Sequence, residues 1–276
     1  MTPLAVELDR VSRSFATPTG APYCALDGIS LAIRWGAFVA VVGPSGCGKS
    51  TLLNVVAGLL APTAGRLRVF GDDLTGLNRR ATYMFQQDAL LPWKDVRGNV
   101  ALGLTLAGVR QREANDRAAA WLARVGLAAF ARHFPAQLSG GMRKRAAMAQ
   151  NWIIDREILL MDEPFSALDI HTRQRMETEL LTLWEESSHG SGSSESARKT
   201  VVFVTHDLEE AIALADRVIV LTAGPASHVV STHEVPLERP RDLLELRTQQ
   251  GFVDLYRAVW ADLRDEVLKS QRALRA

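Results

Sequence analysis

A loop that cradles phosphate needs closely spaced glycines, a lysine and a hydroxyl, and Gly43-Pro44-Ser45-Gly46-Cys47-Gly48-Lys49-Ser50 supplies all three. Backbone N–H groups in such a loop turn inward around phosphate oxygens, which side chains at the glycine positions would obstruct. Lys49 would reach the β and γ phosphates, and the Ser50 hydroxyl would ligate Mg²⁺. Cys47 stands at a free position of the pattern, where a small space-filler is the preferred reading over catalysis. The run Phe38–Val42 leads into the loop, and Thr51–Leu60 leaves it as an apolar helix whose N-terminus favours anions.

Two acids end a second apolar run, Ile158-Leu159-Leu160-Met161-Asp162-Glu163. Asp162 faces the place where a phosphate loop holds Mg²⁺, and Glu163 can polarise an attacking water. Leu138-Ser139-Gly140-Gly141-Met142 opens a helix over Arg143–Trp152. Ser139 can cap that helix, while Gly140 and Gly141 let a phosphate approach its exposed N–H groups. A single phosphate loop does not require this second anion site.

The elements that must position these groups are short β-branched runs alternating with helical stretches, the pattern of parallel strands joined by crossover helices. Phe38–Val42, Ile158–Met161, Val201–Thr205 and Val218–Leu221 read as strands buried on both faces. The first 35 residues and Arg66–Gly71 alternate polar and apolar, as half-exposed antiparallel strands do. From about Leu90 to Trp152 the chain turns rich in Ala, Leu and Arg, which predicts a helical subdomain inserted into the α/β core. Ser187–Lys199 reads as a Gly/Ser-rich flexible loop, and the final 35 or so residues as helical.

Composition narrows the function classes. The 276 residues are 47 % apolar and 23 % charged, with 32 basic against 31 acidic side chains and a net charge of +1. That balance argues against a strongly basic nucleic-acid binder and against an acidic disordered chain. Two cysteines, Cys24 and Cys47, give no disulfide framework and suit a reducing compartment. The start has no basic segment followed by an apolar core, and no apolar run approaches the ~18 residues of a membrane span. The expectation is a chain that is not itself a channel or carrier.

Gly43–Ser50, Leu138–Gly141, Ile158–Glu163 with Pro164, Ser166-Ala167-Leu168-Asp169 and Thr205-His206-Asp207 occur in the order seen in ATP-binding cassette (ABC) ATPases. They resemble that family's Walker A, signature, Walker B, D-loop and switch-histidine motifs, over residues 4 to about 235. The resemblance implies an α/β fold: a P-loop (RecA-like) core, a mainly antiparallel β subdomain and an inserted helical subdomain. Residues 1–235 would form the cassette and 236–276 a C-terminal helical extension. ATP would lie against Gly43, Pro44, Ser45, Gly46, Cys47, Gly48, Lys49, Ser50 and Thr51. Phe15, or alternatively Tyr23, would stack on adenine. Phe85-Gln86-Gln87 would hold the Q-loop, with Gln86 the better candidate for Mg²⁺ and the attacking water. Glu163 would be the general base, His206 would orient water and γ-phosphate, and Ser50, Gln86 and Asp162 would attend Mg²⁺. Without the resemblance, His206 reads as a satisfied core histidine.

The family also implies a head-to-tail homodimer in which Ser139, Gly140 and Gly141 complete the partner's ATP site beside the D-loop Asp169. Leu90-Leu91-Pro92-Trp93, Met142 and Leu208-Glu209-Glu210-Ala211 resemble importers of nitrate, sulfonate, taurine and related solutes. In that setting Leu90, Leu91 and Trp93 would couple to an integral membrane permease, served by an extracytoplasmic solute-binding protein. The chain would sit at the cytoplasmic face of the membrane, peripheral through the permease. Alternatives are an export ATPase or a soluble mechanical ATPase of the same superfamily. A GTPase is disfavoured because no Asn here is followed by Lys. Lys144 and Gln150-Asn151-Trp152 depart from residues common in the family.

Overall fold

Alternating side chains build the first layer. β1 (Leu4–Phe15) and β2 (Tyr23–Arg34) pair antiparallel, and β1 pairs on its other edge with β4 (Ala64–Val69), which carries the short β5 (Asp72–Asp73). The resulting sheet has the order β2-β1-β4-β5. The structure, a computed structural model, describes residues 3–18, 20–166, 168–186 and 198–273. Of the Gly/Ser-rich run, residues 187–197 lie outside the described residues, as does Ala167 of the D-loop motif.

The second sheet holds the chemistry. Its order is β10-β9-β3-β8-β7-β6. In chain order its strands are β3 (Phe38–Val42), β6 (Ala81–Met84), β7 (Ile158–Asp162), β8 (Thr200–Val204), β9 (Arg217–Leu221) and β10 (Val229–Glu234). All neighbours are parallel except β10, which closes one edge antiparallel. The four buried strands read from sequence are β3, β7, β8 and β9, shifted by a residue at most at their ends. Their continuous apolarity has a plain cause, since β3, β7 and β8 are buried at every position and each face meets its own core.

On one face, Phe38, Ala40 and Val42 pack with helices α5 (Ile170–Glu186), α6 (Leu208–Leu214) and α8 (Gln250–Ala273). Phe38 meets Trp184 and Phe203 edge-on, at centroid distances of 5.4 and 5.6 Å. Each large side chain buried this fully contributes about 1.5–3 kcal/mol of transfer free energy. On the other face, Val39 and Val41 join Leu52, Leu53, Val55 and Val56 of α1 (Lys49–Val56) and the inner face of the first sheet. α1 is therefore sandwiched between the two sheets. A third core, built on Val100, Leu104, Leu122 and Ile153, fills the helical subdomain of α2 (Val96–Leu106), α3 (Gln111–Arg124) and α4 (Gly140–Trp152). The short α7 (Leu243–Leu246) and α8 lie on the α6 side of the second sheet.

The helix after the phosphate loop ends earlier than the apolar run Thr51–Leu60 predicts. Gly58, at φ 70°, donates its N–H to the Val55 carbonyl, and Leu59 donates to Asn54, the paired bonds of a Schellman cap. A Cβ on Gly58 would stand 1.9 Å from the Gly76 carbonyl oxygen. Gly58→Ala thus meets both backbone strain and a backbone clash. It is expected to cost about 2 kcal/mol or more, read as a lower urea midpoint with unchanged m-value.

Candidate active site

The phosphate loop emerges from the C-terminal end of β3 and runs into α1. Gly48 caps that helix at φ 92°, a left-handed geometry, and a Cβ there would lie 2.9 Å from the Leu26 side chain and 3.1 Å from the Ala25 carbonyl. Glycine is required on both counts. Lys49 is 5 % exposed, and its ammonium donates to the Gly43 and Pro44 carbonyls at 2.9 and 3.1 Å. It lies folded along the loop, a stored cation within reach of an incoming polyphosphate. Ser45 and Gly46 are exposed, while Cys47 is buried and packs under the loop against Gly43. Burial pushes the Cys47 thiol up, which keeps it protonated and unreactive at neutral pH.

β7 sets the acids beside this loop. The Ser50 hydroxyl donates to Asp162 Oδ1 at 3.0 Å, and the Tyr83 hydroxyl donates to Oδ2 at 3.3 Å. Burial raises the Asp162 carboxyl, and the two hydroxyl donors oppose that rise. Tyr83 is also pushed up, by burial first and by Asp162 second, so its proton is firmly held. The sequence reading missed Tyr83. It reaches Asp162 because β6 runs parallel to β7 with Tyr83 opposite Leu160, a register invisible in a lone tyrosine. The donor set here is oxygen throughout, hydroxyl and carboxylate, which fits Mg²⁺.

Glu163 follows at φ 43°, in the left-handed region that non-glycine residues seldom adopt. Its N–H is held by the Val204 carbonyl at 3.0 Å, and its own carbonyl accepts from the Ser166 hydroxyl at 3.1 Å. The surroundings therefore enforce the strain, as is common where a side chain must be aimed. Two groups converge on its Oε2: Gln86 Nε2 donates at 3.1 Å, and His206 Nδ1 lies 3.3 Å away. The structure brings Gln86 here, whereas Gln87 lines the neighbouring groove. His206 is no core histidine, since its side chain is 57 % exposed. Asp207 fixes that segment by capping α6 through the N–H groups of Glu209 and Glu210.

At the mouth, Phe15 stands opposite Tyr23 across the β1–β2 pair. The Arg13 guanidinium lies 4.7 Å from the centre of the Phe15 ring. Tyr23 reaches the phosphate-loop side: a Cβ on Gly224 would stand 3.5 Å from its hydroxyl and 3.1 Å from the Gly46 carbonyl. Thr51 is half-buried on the first turn of α1.

The signature residues lie apart from this cluster within one chain. Ser139 caps α4, its hydroxyl accepting from Met142 N–H at 3.3 Å. Gly140, exposed, and Gly141, half-buried, form the first turn, and a Cβ on Gly141 would stand 2.6 Å from the Thr172 methyl. Asp169 accepts from the Thr172 N–H at 3.0 Å, and this bond holds its carboxyl below the usual range. Among the described residues, no hydrogen bond joins Ser139, Gly140, Gly141 or Asp169 to Lys49, Ser50, Asp162 or Glu163. The helical subdomain is instead tied to the Q-loop by Lys144, 3 % exposed, whose ammonium donates to the Gln86 carbonyl at 2.5 Å. The same ammonium lies 3.4 Å from Asp88 Oδ1, and Arg143 donates to Asp88 Oδ2 at 3.1 Å.

The three apolar residues expected to face a partner divide. Leu90 is buried in the helical core, beneath the segment and not on its outer face. Leu91 is half-buried, and Trp93 is 71 % exposed. Nearby, a groove of about 570 Å³ opens between the second sheet and the helical subdomain, lined by Leu59, Leu77, Phe85, Leu102 and Leu106 among others. Leu77 and Leu106 are 64 % and 80 % exposed, so this is a broad apolar surface open to solvent.

A strand-loop-helix phosphate cradle with two acids at the end of a neighbouring parallel strand defines a P-loop nucleotide-hydrolysing core. Residues 26–166 match the family described as ABC transporter. The chain is 43 % identical over 246 residues to an uncharacterized ABC transporter ATP-binding protein of Methanocaldococcus jannaschii, covering 89 % of this chain and 86 % of that one. It is 41 % identical to the nitrate import ATP-binding protein NrtD of Synechococcus elongatus, covering 86 % and 83 %. The taurine import ATP-binding protein TauB of Yersinia pestis is 43 % identical, covering 79 % and 81 %. A solved dimeric bacterial ABC transporter cassette superposes with a TM-score of 0.72 at 32 % identity, over 84 % of this chain and all of that one. The chain belongs to the ABC transporter ATP-binding family and is an ATPase.

Proposed function

We propose that this ATPase drives solute uptake through a separate membrane permease, with nitrate-, sulfonate- or taurine-like solutes as the class carried. The observation that carries the reading is the apolar groove beside the Q-loop, with Trp93 exposed at the same segment and Gln86 bonded to Glu163. A helix seated in that groove would feel any movement of the residue that touches the hydrolytic carboxylate. Relatives named for nitrate, bicarbonate and taurine import support the direction of transport and the solute class. Among the described residues no helix is long and apolar enough to cross a membrane, which fits a peripheral subunit whose pathway lies in another chain.

In this reading adenine stacks on Phe15, with Tyr23 the alternative, and the phosphate-loop N–H groups wrap the phosphates. Lys49 leaves the Gly43 and Pro44 carbonyls for the γ-phosphate. Ser50, Asp162 and Gln86 would hold Mg²⁺, which would screen the phosphate charges. Glu163 Oε2 accepts the proton of the attacking water, and His206 holds the γ-phosphate side in place. Ser139, Gly140 and Gly141 close the site of a second copy in a head-to-tail homodimer, and a solute-binding protein serves the permease from outside.

Leu91→Ala with Trp93→Ala removes the exposed apolar contact and leaves the nucleotide cluster alone. Basal ATPase of the isolated subunit is expected to stay within about twofold. Co-purification with the permease and solute-stimulated hydrolysis in vesicles are expected to fall at least ~10-fold, because exposed aromatic anchors dominate interfaces. Full transport by this variant, or by Leu106→Asp in the groove, would overturn the coupling assignment.

A further inference from the structure

Charged groups converge where α5, α6 and the corner before α8 meet. Glu177 of α5 is fully buried, and its Oε2 accepts from Arg247 Nη2 at 2.9 Å. Its Oε1 has no hydrogen-bond partner among the described residues. Arg247, from the C-terminal extension, also places Nε 3.4 Å from Glu209 Oε2. One turn back on α5, Arg173 donates to Asp207 Oδ2 at 3.1 Å and to the Leu168 carbonyl at 3.3 Å. Arg173 therefore ties the residue after His206 to the segment that carries Asp169. Glu210, buried beside these groups, has its carboxyl pushed up to about 8 by desolvation and is mostly neutral at pH 7. Glu177 and Asp207 are left as the two carboxylates within reach of Arg173.

Arg173 and Glu177 are four residues apart on one helix, a spacing that lets them pair directly. Arg247 supplies the hydrogen bond that Glu177 accepts, and Arg173 acts on Glu177 through its charge alone. A buried carboxylate stripped of its partner must find another cation or a proton. Without Arg247 the cation left acting on Glu177 is Arg173, whose Nε has no hydrogen-bond partner among the described residues, and turning it toward Glu177 would draw its Nη groups away from Asp207 and the Leu168 carbonyl.

We propose that Arg247 is a positioning residue for ATP hydrolysis: by neutralising Glu177 from the C-terminal extension, it keeps Arg173 available to lock the His206 segment to the D-loop segment. This rests on the hydrolytic role assigned to His206 above. The effect is transmitted through three side chains and touches neither ATP nor the reacting water. It gives residues beyond the cassette a part in the chemistry of the site.

The test uses the full chain. Arg247→Ala is expected to lower kcat about 10-fold at pH 7, where Glu210 stays mostly neutral, with ATP KM within about twofold, the split that marks lost organisation of the reacting groups. Burial already raises the Glu177 carboxyl, and losing Arg247 raises it further. The kcat deficit relative to the parent should therefore shrink as the pH is lowered, the direction in which Glu177 takes a proton and frees Arg173. Arg247→Ala with Glu177→Gln removes the competing carboxylate and should restore kcat to within about threefold.

Imidazole NMR signals of His206 in the nucleotide-free protein give a readout independent of turnover. They should shift in Arg247→Ala and return in the double variant. An unmoved His206 signal, or a double variant as slow as the single one, overturns the proposal. Where Arg247→Ala does not fold, Arg247→Gln, which keeps a donor without the charge, takes its place with the same outcomes. Wild-type turnover in His206→Ala would remove the hydrolytic role of His206, while the NMR shift would still decide the coupling.

Discussion

Glu163→Gln is expected to lower ATP turnover by roughly 10²–10⁴-fold while ATP affinity stays within about twofold. The substitution keeps the size of the side chain and an acceptor oxygen for Gln86, whose amide now donates to Glu163 Oε2 at 3.1 Å. What is lost is the carboxylate proposed to accept the proton of water. The strained backbone at φ 43° is held by Val204 and Ser166 and not by the carboxylate, so the loop should persist. Single-turnover hydrolysis and nucleotide binding check the two halves separately. ATP-dependent dimers that outlive those of the parent chain complete the expected pattern. Turnover near the parental rate would remove Glu163 from its role, and Gln86 and His206 would then be aimed at a carboxylate without function.

A mixed dimer of Lys49→Ala and Ser139→Arg subunits tests which copy supplies the signature. If Ser139 acts on the partner's nucleotide, both lesions fall in one composite site and the other site is intact. The mixed dimer is then expected to keep about half of the parental activity, while each variant homodimer loses roughly 100-fold or more. The structure motivates the choice, since Ser139 caps α4 and, among the described residues, has no hydrogen bond to the Lys49–Asp162–Glu163 cluster of its own chain. Loss of that cap costs about 1 kcal/mol, too little to explain a 100-fold drop by unfolding. Loss of ATP binding in isolated Ser139→Arg monomers, equal to that in Lys49→Ala, would contradict action in trans.

Legibility in the sequence followed the strength of local constraint. β3, β7, β8 and β9 could be read because burial on both faces demands uninterrupted apolar residues. β6 and β10 carry no such mark: β6 spans four residues with one fully buried, and β10 is an edge strand with a half-exposed pattern. The phosphate loop and the acids of β7 were legible because backbone geometry and charge permit few residue types there. Tyr83 was not, since its importance comes from strand register. The split between buried Leu90 and exposed Trp93 was equally hidden, because an irregular segment has no period from which to assign a face. The end of α1 was written in Gly58, yet an apolar run on both sides obscured it.

Set against a glutamine at the same position, Lys144 differs mechanically. A glutamine amide is planar, so a bond from it fixes direction as well as distance. An ammonium presents three donors on one rotating atom and holds its acceptor through a wide range of angles. The bond from Lys144 to the Gln86 carbonyl therefore behaves as a ball joint between the helical subdomain and the Q-loop. Swivelling of α4 about that point keeps the bond, whereas sliding along it breaks the bond and exposes a buried charge. Arg143 and Asp88 sit beside the joint as a stop on one side. The subdomain that carries Ser139 can then change its tilt toward a second copy without letting go of the residue that touches Glu163.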